Sequence, residues 1–112
     1  MYEEDVVLCG SSAYEKKFYI NDVFSNLPDE VKKELQIMCV LFTEDAGGVL
    51  LLKFDKDGNL NFVTECDEND ILYDEISSGL LISKLRRDKR ELLEGLETYY
   101  KVMLLNNSQN NS

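Results

Sequence analysis

The stretch FDKDGNLNF, Phe54 to Phe62, sets Asp55, Asp57 and Asn59 at alternate positions. That is the spacing of the first three oxygen ligands in a calcium-binding loop, which also needs glycine at its sixth place and a bidentate glutamate at its twelfth. Counted from Asp55, those two places hold Leu60 and Cys66; Gly58 comes early and Glu65 falls one residue short. A hairpin turn asks for less. Asp-Gly between alternating apolar residues reverses the chain, because glycine takes positive φ without steric cost. Leu50, Leu52 and Phe54 share one face before the turn, and Leu60, Phe62, Thr64 and Cys66 share one after it. The stretch reads as a bend.

Two charged clusters are the other places where chemistry could sit. Six acids lie between Glu65 and Glu75: Glu65, Asp67, Glu68, Asp70, Asp74 and Glu75. They could hold a hard cation, or supply a general acid and base, but no ligand set of fixed spacing singles out a site. A solvated face with helix-start charges accounts for them equally. The opposite cluster is Lys84, Arg86, Arg87, Lys89 and Arg90, five cations around Asp88. It is either a docking patch for an acidic partner or a set of local ion pairs, with Arg87–Glu91 and Arg90–Glu94 at helical i,i+4 spacing. Local pairing, within the chain or across an oligomer, is the favoured reading.

Composition narrows the rest. The chain has 112 residues, 22 Asp and Glu against 12 Lys and Arg, and a net charge of −10. A field of that sign repels phosphate backbones, so nucleic-acid binding is not expected. There is no histidine, which removes the usual general base and the commonest zinc ligand. Cys9, Cys39 and Cys66 are far apart and form no CxxC pair, so reduced thiols are expected rather than disulfides or zinc. No cofactor is implied. The longest apolar run, Ile37–Phe42, is far too short to span a bilayer, and MYEEDVV is acidic where a signal peptide would be basic. A cytoplasmic protein without a membrane partner is the expectation.

Along the chain, Val6–Cys9 reads as a short strand stopped by Gly10-Ser11-Ser12, and KFYI, Lys17–Ile20, as another. A helix follows, with Asn26 as cap, Pro28 in the first turn, and Asp29 and Glu30 at the positive end of the dipole. Its face is Val31, Leu35, Met38 and Phe42; from Ile37 onward it is apolar all round, so that half should be the centre of the core. After the hairpin, Asn69 or Asp70 could cap a short helix carrying Ile71, Leu72 and Ile76, ended by Ser77-Ser78-Gly79. A long final helix should start at Leu80 or Ser83 and reach Leu105, with Leu85, Leu92, Leu96, Tyr99 and Met103 as its stripe. Residues 1–105 make one domain, and NNSQNNS, 106–112, a disordered tail.

LPDEVKKELQIMCVLFTEDAGG, Leu27–Gly48, and KRELLEGLETYYKVM, Lys89–Met103, give the chain its resemblance. It resembles a small uncharacterised protein family of clostridial-type bacteria. That resemblance implies a bacterial cytoplasmic setting and carries no assigned activity.

The expected fold is α+β: an antiparallel hairpin, widened to three strands if the N-terminal segment joins it, packed against a central helix and a long C-terminal helix. The hairpin's second face carries Val49, Leu51 and Val63 among Lys53, Asn61 and Glu65, more apolar than an open face needs. The N-terminal segment, the last helix or a second subunit should cover it. Adjacent Tyr99 and Tyr100 place one ring in the core and the other at a rim. Together these point to a non-enzymatic interaction module, an adaptor or chaperone-like protein that self-associates. The competing reading is a small enzyme or ligand-binding protein using Asp67, Asp70, Asp74 and Glu75, with Arg86 or Arg90 gripping an anion.

Overall fold

At the Asp-Gly bend of the computed structural model, which describes residues 5–105, the chain turns back on itself. Gly58 has φ 86° and its N–H donates to Asp55 O at 2.9 Å. Asp55 Oδ1 accepts the N–H groups of Asp57 and Asn59, both at 3.0 Å. The aspartates of this loop therefore organise a turn, as their spacing suggested. It joins β3, Val49–Phe54, to β4, Leu60–Glu65, in antiparallel register with Phe54 opposite Leu60. The apolar face is as expected: Leu50, Leu52, Phe54 and Leu60 are buried. Cys66 lies beyond the end of β4 and is exposed.

The sheet is larger than expected. β1, Val6–Ser12, pairs with β3, and β2, Lys17–Ile20, pairs with β1, giving four antiparallel strands in the order β2-β1-β3-β4. Gly10-Ser11-Ser12 does not break β1, and the reason lies in what each residue meets. A Cβ on Gly10 would stand 2.5 Å from Leu51 Cδ2 and 2.9 Å from Leu50 O, so only glycine lets β1 approach β3 there. Ser11 is buried with its hydroxyl satisfied: it donates to Cys39 O at 2.8 Å and lies 3.1 Å from Thr43 Oγ1. Leu8 is an extra residue between the Val7–Lys53 and Cys9–Leu52 pairs, a bulge that lets Leu8 and Cys9 both be buried.

Helix α1, Asp29–Ala46, packs on the face carrying Leu50 and Leu52. Its cap is not Asn26. Pro28 takes the N-cap position with no side-chain bond, and its carbonyl accepts from Val31 and Lys32. Leu35, Met38, Cys39, Phe42 and Thr43 are buried, but the C-terminal half is not surrounded by core, since Ile37 and Leu41 are exposed on its outer side. Two glycines with positive φ, Gly47 and Gly48, turn α1 into β3; a Cβ on Gly48 would lie 2.6 Å from Glu65 O.

The C-terminal helical region departs most from expectation. Residues 66–74 form no helix, and Asp74, rather than Asn69 or Asp70, caps α2, Glu75–Asp88. Ser77-Ser78-Gly79 lies inside α2. Asp74 accepts from the N–H groups of Ile76 and Ser77, and the Ser78 hydroxyl donates to Glu75 O, so these polar residues serve the first turn instead of ending it. One long helix is replaced by two, because Lys89 leaves helical angles (φ −109°, ψ 23°) before α3, Arg90–Tyr100. This bend lets Leu85 of α2 and Leu93 and Leu96 of α3 all reach one core. A π-helical turn, Lys101–Leu105, ends the described chain; the tail expected to be disordered lies outside the described residues.

Candidate functional site

The acidic segment does structural work wherever it is seen in contact. Tyr14 donates its hydroxyl to Asp70 Oδ2 at 2.5 Å and accepts the Asp67 N–H at 3.0 Å, tying the β1–β2 turn to the loop after β4. The bond to Asp70 is the main reason the Tyr14 phenol is held above its usual range; the Asp67 N–H acts the other way. Asp74 is spent as the α2 cap, and the Ser77 hydroxyl and N–H bonded to it hold its carboxyl below the usual carboxylate range. Among the described residues no three His, Cys, Asp or Glu side chains converge as a metal set.

The five cations each have a neighbour in the chain. Lys84 Nζ lies 2.9 Å from Asp88 Oδ2, and this pair holds the Asp88 carboxyl low. Arg90 Nε meets Glu94 at 3.0 Å, as the helical spacing suggested; Arg87 Nε lies 3.6 Å from Asp88 Oδ1, where that spacing pointed to Glu91. Lys89 crosses to Glu34 of α1 at 3.1 Å. Arg86 stands 4.9 Å over the Phe62 ring and reaches Leu60 O at 3.4 Å.

Cys9 and Cys39 are buried with their sulfurs 3.9 Å apart, and that contact, with burial, pushes the Cys9 thiol far up. Both residues belong to the buried core.

Val49, Leu51 and Val63 are half-buried on the sheet face opposite the Leu50, Leu52 and Phe54 core. The N-terminal segment pairs beside β3 rather than covering that face. Tyr73 packs elsewhere: its ring comes within van der Waals reach of Gly48 and its hydroxyl donates to Ser78 of α2 at 3.0 Å. Of the tyrosine pair, Tyr99 is half-buried, whereas Tyr100 is 0% exposed and stacks on Phe54 with ring centroids 4.2 Å apart. Tyr100 is thus a core residue and not available to an interface.

A groove between α1 and α2 lies outside every site that the sequence predicts. It has a volume of about 500 Å³, and its floor and walls include Ile37, Met38, Leu41, Leu81 and Leu85. Ile37 and Leu41 are 53% and 58% exposed, and Ile76 and Leu80 on the outer side of α2 are 77% and 67% exposed. Ile37 and Leu41 lie inside an apolar run whose sequence predicts buried core, and Ile76 and Leu80 belong to two different predicted helices. The i,i+4 spacing of each pair was the signal that could have found them.

The fold and this surface define the molecule as a small acidic α+β protein with an open apolar helix face. The chain belongs to the family of unknown function DUF6145, whose model matches residues 5–108. The resemblance to a family without assigned activity is thereby supported over most of the chain. No curated protein and no solved structure matches it.

Proposed function

We propose that this protein is a non-enzymatic interaction module that self-associates, acting as an adaptor or chaperone-like protein in a bacterial cytoplasm. The observation that carries the reading is the placement of four large apolar side chains, Ile37, Leu41, Ile76 and Leu80, more than half exposed on two neighbouring helices. Covering such a side chain contributes about 1 to 2 kcal/mol, so leaving four bare is a cost that an assembly removes. The sheet face of Val49, Leu51 and Val63, with Tyr99 at its own rim, offers smaller and less exposed apolar area. No helix among the described residues is long and apolar enough to cross a membrane, and the charge of −10 disfavours nucleic acid as the partner.

Sedimentation velocity over a wide range of protein concentration tests the proposal. A sedimentation coefficient that rises with concentration toward a discrete dimer or higher oligomer is expected. A strict monomer at every concentration overturns it.

A further inference from the structure

We infer that the groove between α1 and α2 seats a second copy of this chain, related to the first by a two-fold axis that runs along the groove. This rests on the self-association proposed above and names its surface. The two helices run antiparallel. Lys89 at the end of α2 reaches Glu34 in the first half of α1 at 3.1 Å, while Tyr73, just before α2, packs against Gly48, just beyond the end of α1. Between them lies the apolar floor of Leu81, Leu85 and Met38, with Ile37 and Leu41 standing exposed above it.

The charges on the two walls choose the occupant. The α1 wall carries Glu30, Glu34 and Asp45 against a single cation, Lys33, and the α2 wall carries Lys84 and Lys89. One wall is therefore net negative and the other net positive, on a chain whose total is −10. A peptide helix of one sign would meet its own sign on one wall. A second copy turned about the groove axis lays its α1 over the α2 of the first and its α2 over the α1, so each wall meets its opposite. That rotation also brings the Ile37 and Leu41 side of one copy against the Leu80 side of the other. An isologous contact requires such self-complementarity, and complementary charge fixes its register.

The test uses the full chain in two charge-reversed forms, altered only at exposed positions. The first, Glu30→Lys with Asp45→Lys, makes both walls positive; the second, Lys33→Glu with Lys84→Glu, makes the α1 wall wholly acidic and cancels the net charge of the α2 wall. Sedimentation equilibrium should show each form alone self-associating at least about tenfold more weakly than wild type, and an equimolar mixture recovering heterodimers to within about threefold. Leu41→Ser should weaken the wild-type dimer by about tenfold with an unchanged far-ultraviolet circular dichroism spectrum. Weakening without recovery on mixing overturns the two-fold arrangement. A wild-type dimer untouched by all these changes, but weakened by Leu51→Ser or Val63→Ser, overturns the groove while self-association stands. A monomer throughout removes both.

Discussion

The Glu97 carboxylate of α3 accepts the backbone N–H of Leu60, at the start of β4, at 2.7 Å. β4 is an edge of the sheet, and the Asp55 N–H bond to Asn59 O closes the pair beside Leu60 and Phe54. In an antiparallel ladder the next pair is not hydrogen-bonded, so the N–H and C=O of Leu60 point outward. Glu97 takes the N–H and Arg86 approaches the C=O, which blunts the edge where it would otherwise invite another strand. Glu97→Ala leaves a part-buried N–H without its charged acceptor and is expected to cost about 1 to 2 kcal/mol in urea unfolding. Glu97→Gln, which keeps an acceptor, should cost less. An alanine variant as stable as wild type would mean that the bond contributes nothing net.

Gly10 and Leu51 form a steric pair across β1 and β3. Gly10→Ala forces a Cβ against Leu51 Cδ2 at 2.5 Å and Leu50 O at 2.9 Å, and a loss of about 1 to 3 kcal/mol is expected from overpacking. Adding Leu51→Ala removes the side-chain clash but leaves the backbone one. The double variant should therefore lose less than the sum of the two single changes in denaturant titration. Simple additivity would show that the two residues do not press on each other.

The hairpin was legible in the sequence because its causes are local: an Asp-Gly turn, and Leu50, Leu52 and Phe54 at period two. The face of α1 from Leu35 to Phe42 was legible for the same reason. Gly10-Ser11-Ser12 carries every local mark of a break, yet its partners, Leu51 and Cys39, are far away in sequence and only the fold brings them near. The α2 start was misplaced because Ser77 and Ser78 bond backward to Asp74 and Glu75, an arrangement that looks like a loop until the cap is located. The groove was hidden because an apolar run does not reveal which of its sides a second helix will cover. Ile37 and Met38 are adjacent in sequence, and one is exposed while the other is core.

Tyr14 gives the structure a dependence on alkaline pH. Its phenol holds its proton more tightly in the folded protein than its ordinary value near 10, chiefly through the bond to Asp70. The contribution is therefore complete below about pH 10 and fades as pH rises through the raised folded value. Tyr14→Phe should lower the melting temperature at neutral pH and fall less steeply than wild type as the solution becomes strongly alkaline, so the two curves converge. Hydrogen exchange gives a local check, since the Asp67 amide, bonded to the Tyr14 oxygen, should exchange faster in the variant. Parallel stability curves for the two proteins across the alkaline range would refute the assignment.

The basic stretch yields the last prediction. Lys84, Arg87 and Arg90 sit in exposed pairs with Asp88 and Glu94, which solvent screens, so each contributes little. Arg86 differs, because its guanidinium lies over Phe62 and near the open carbonyl of Leu60, where a cation–π contact contributes about 0.5 to 1 kcal/mol. Replacing Arg86, Arg87 and Arg90 together with glutamine should lower stability, and Arg86→Gln alone should account for most of the loss in denaturant titration. Nucleic-acid binding should be unaffected because none is expected of wild type. The whole-chain field of −10 opposes a phosphate backbone, and Lys84, Lys89 and Arg90 already meet Asp88, Glu34 and Glu94. A gel-shift assay at moderate salt decides. Tight, salt-sensitive retention of DNA or RNA by wild type, lost in the triple variant, would turn the stretch from a set of internal pairs into a binding face.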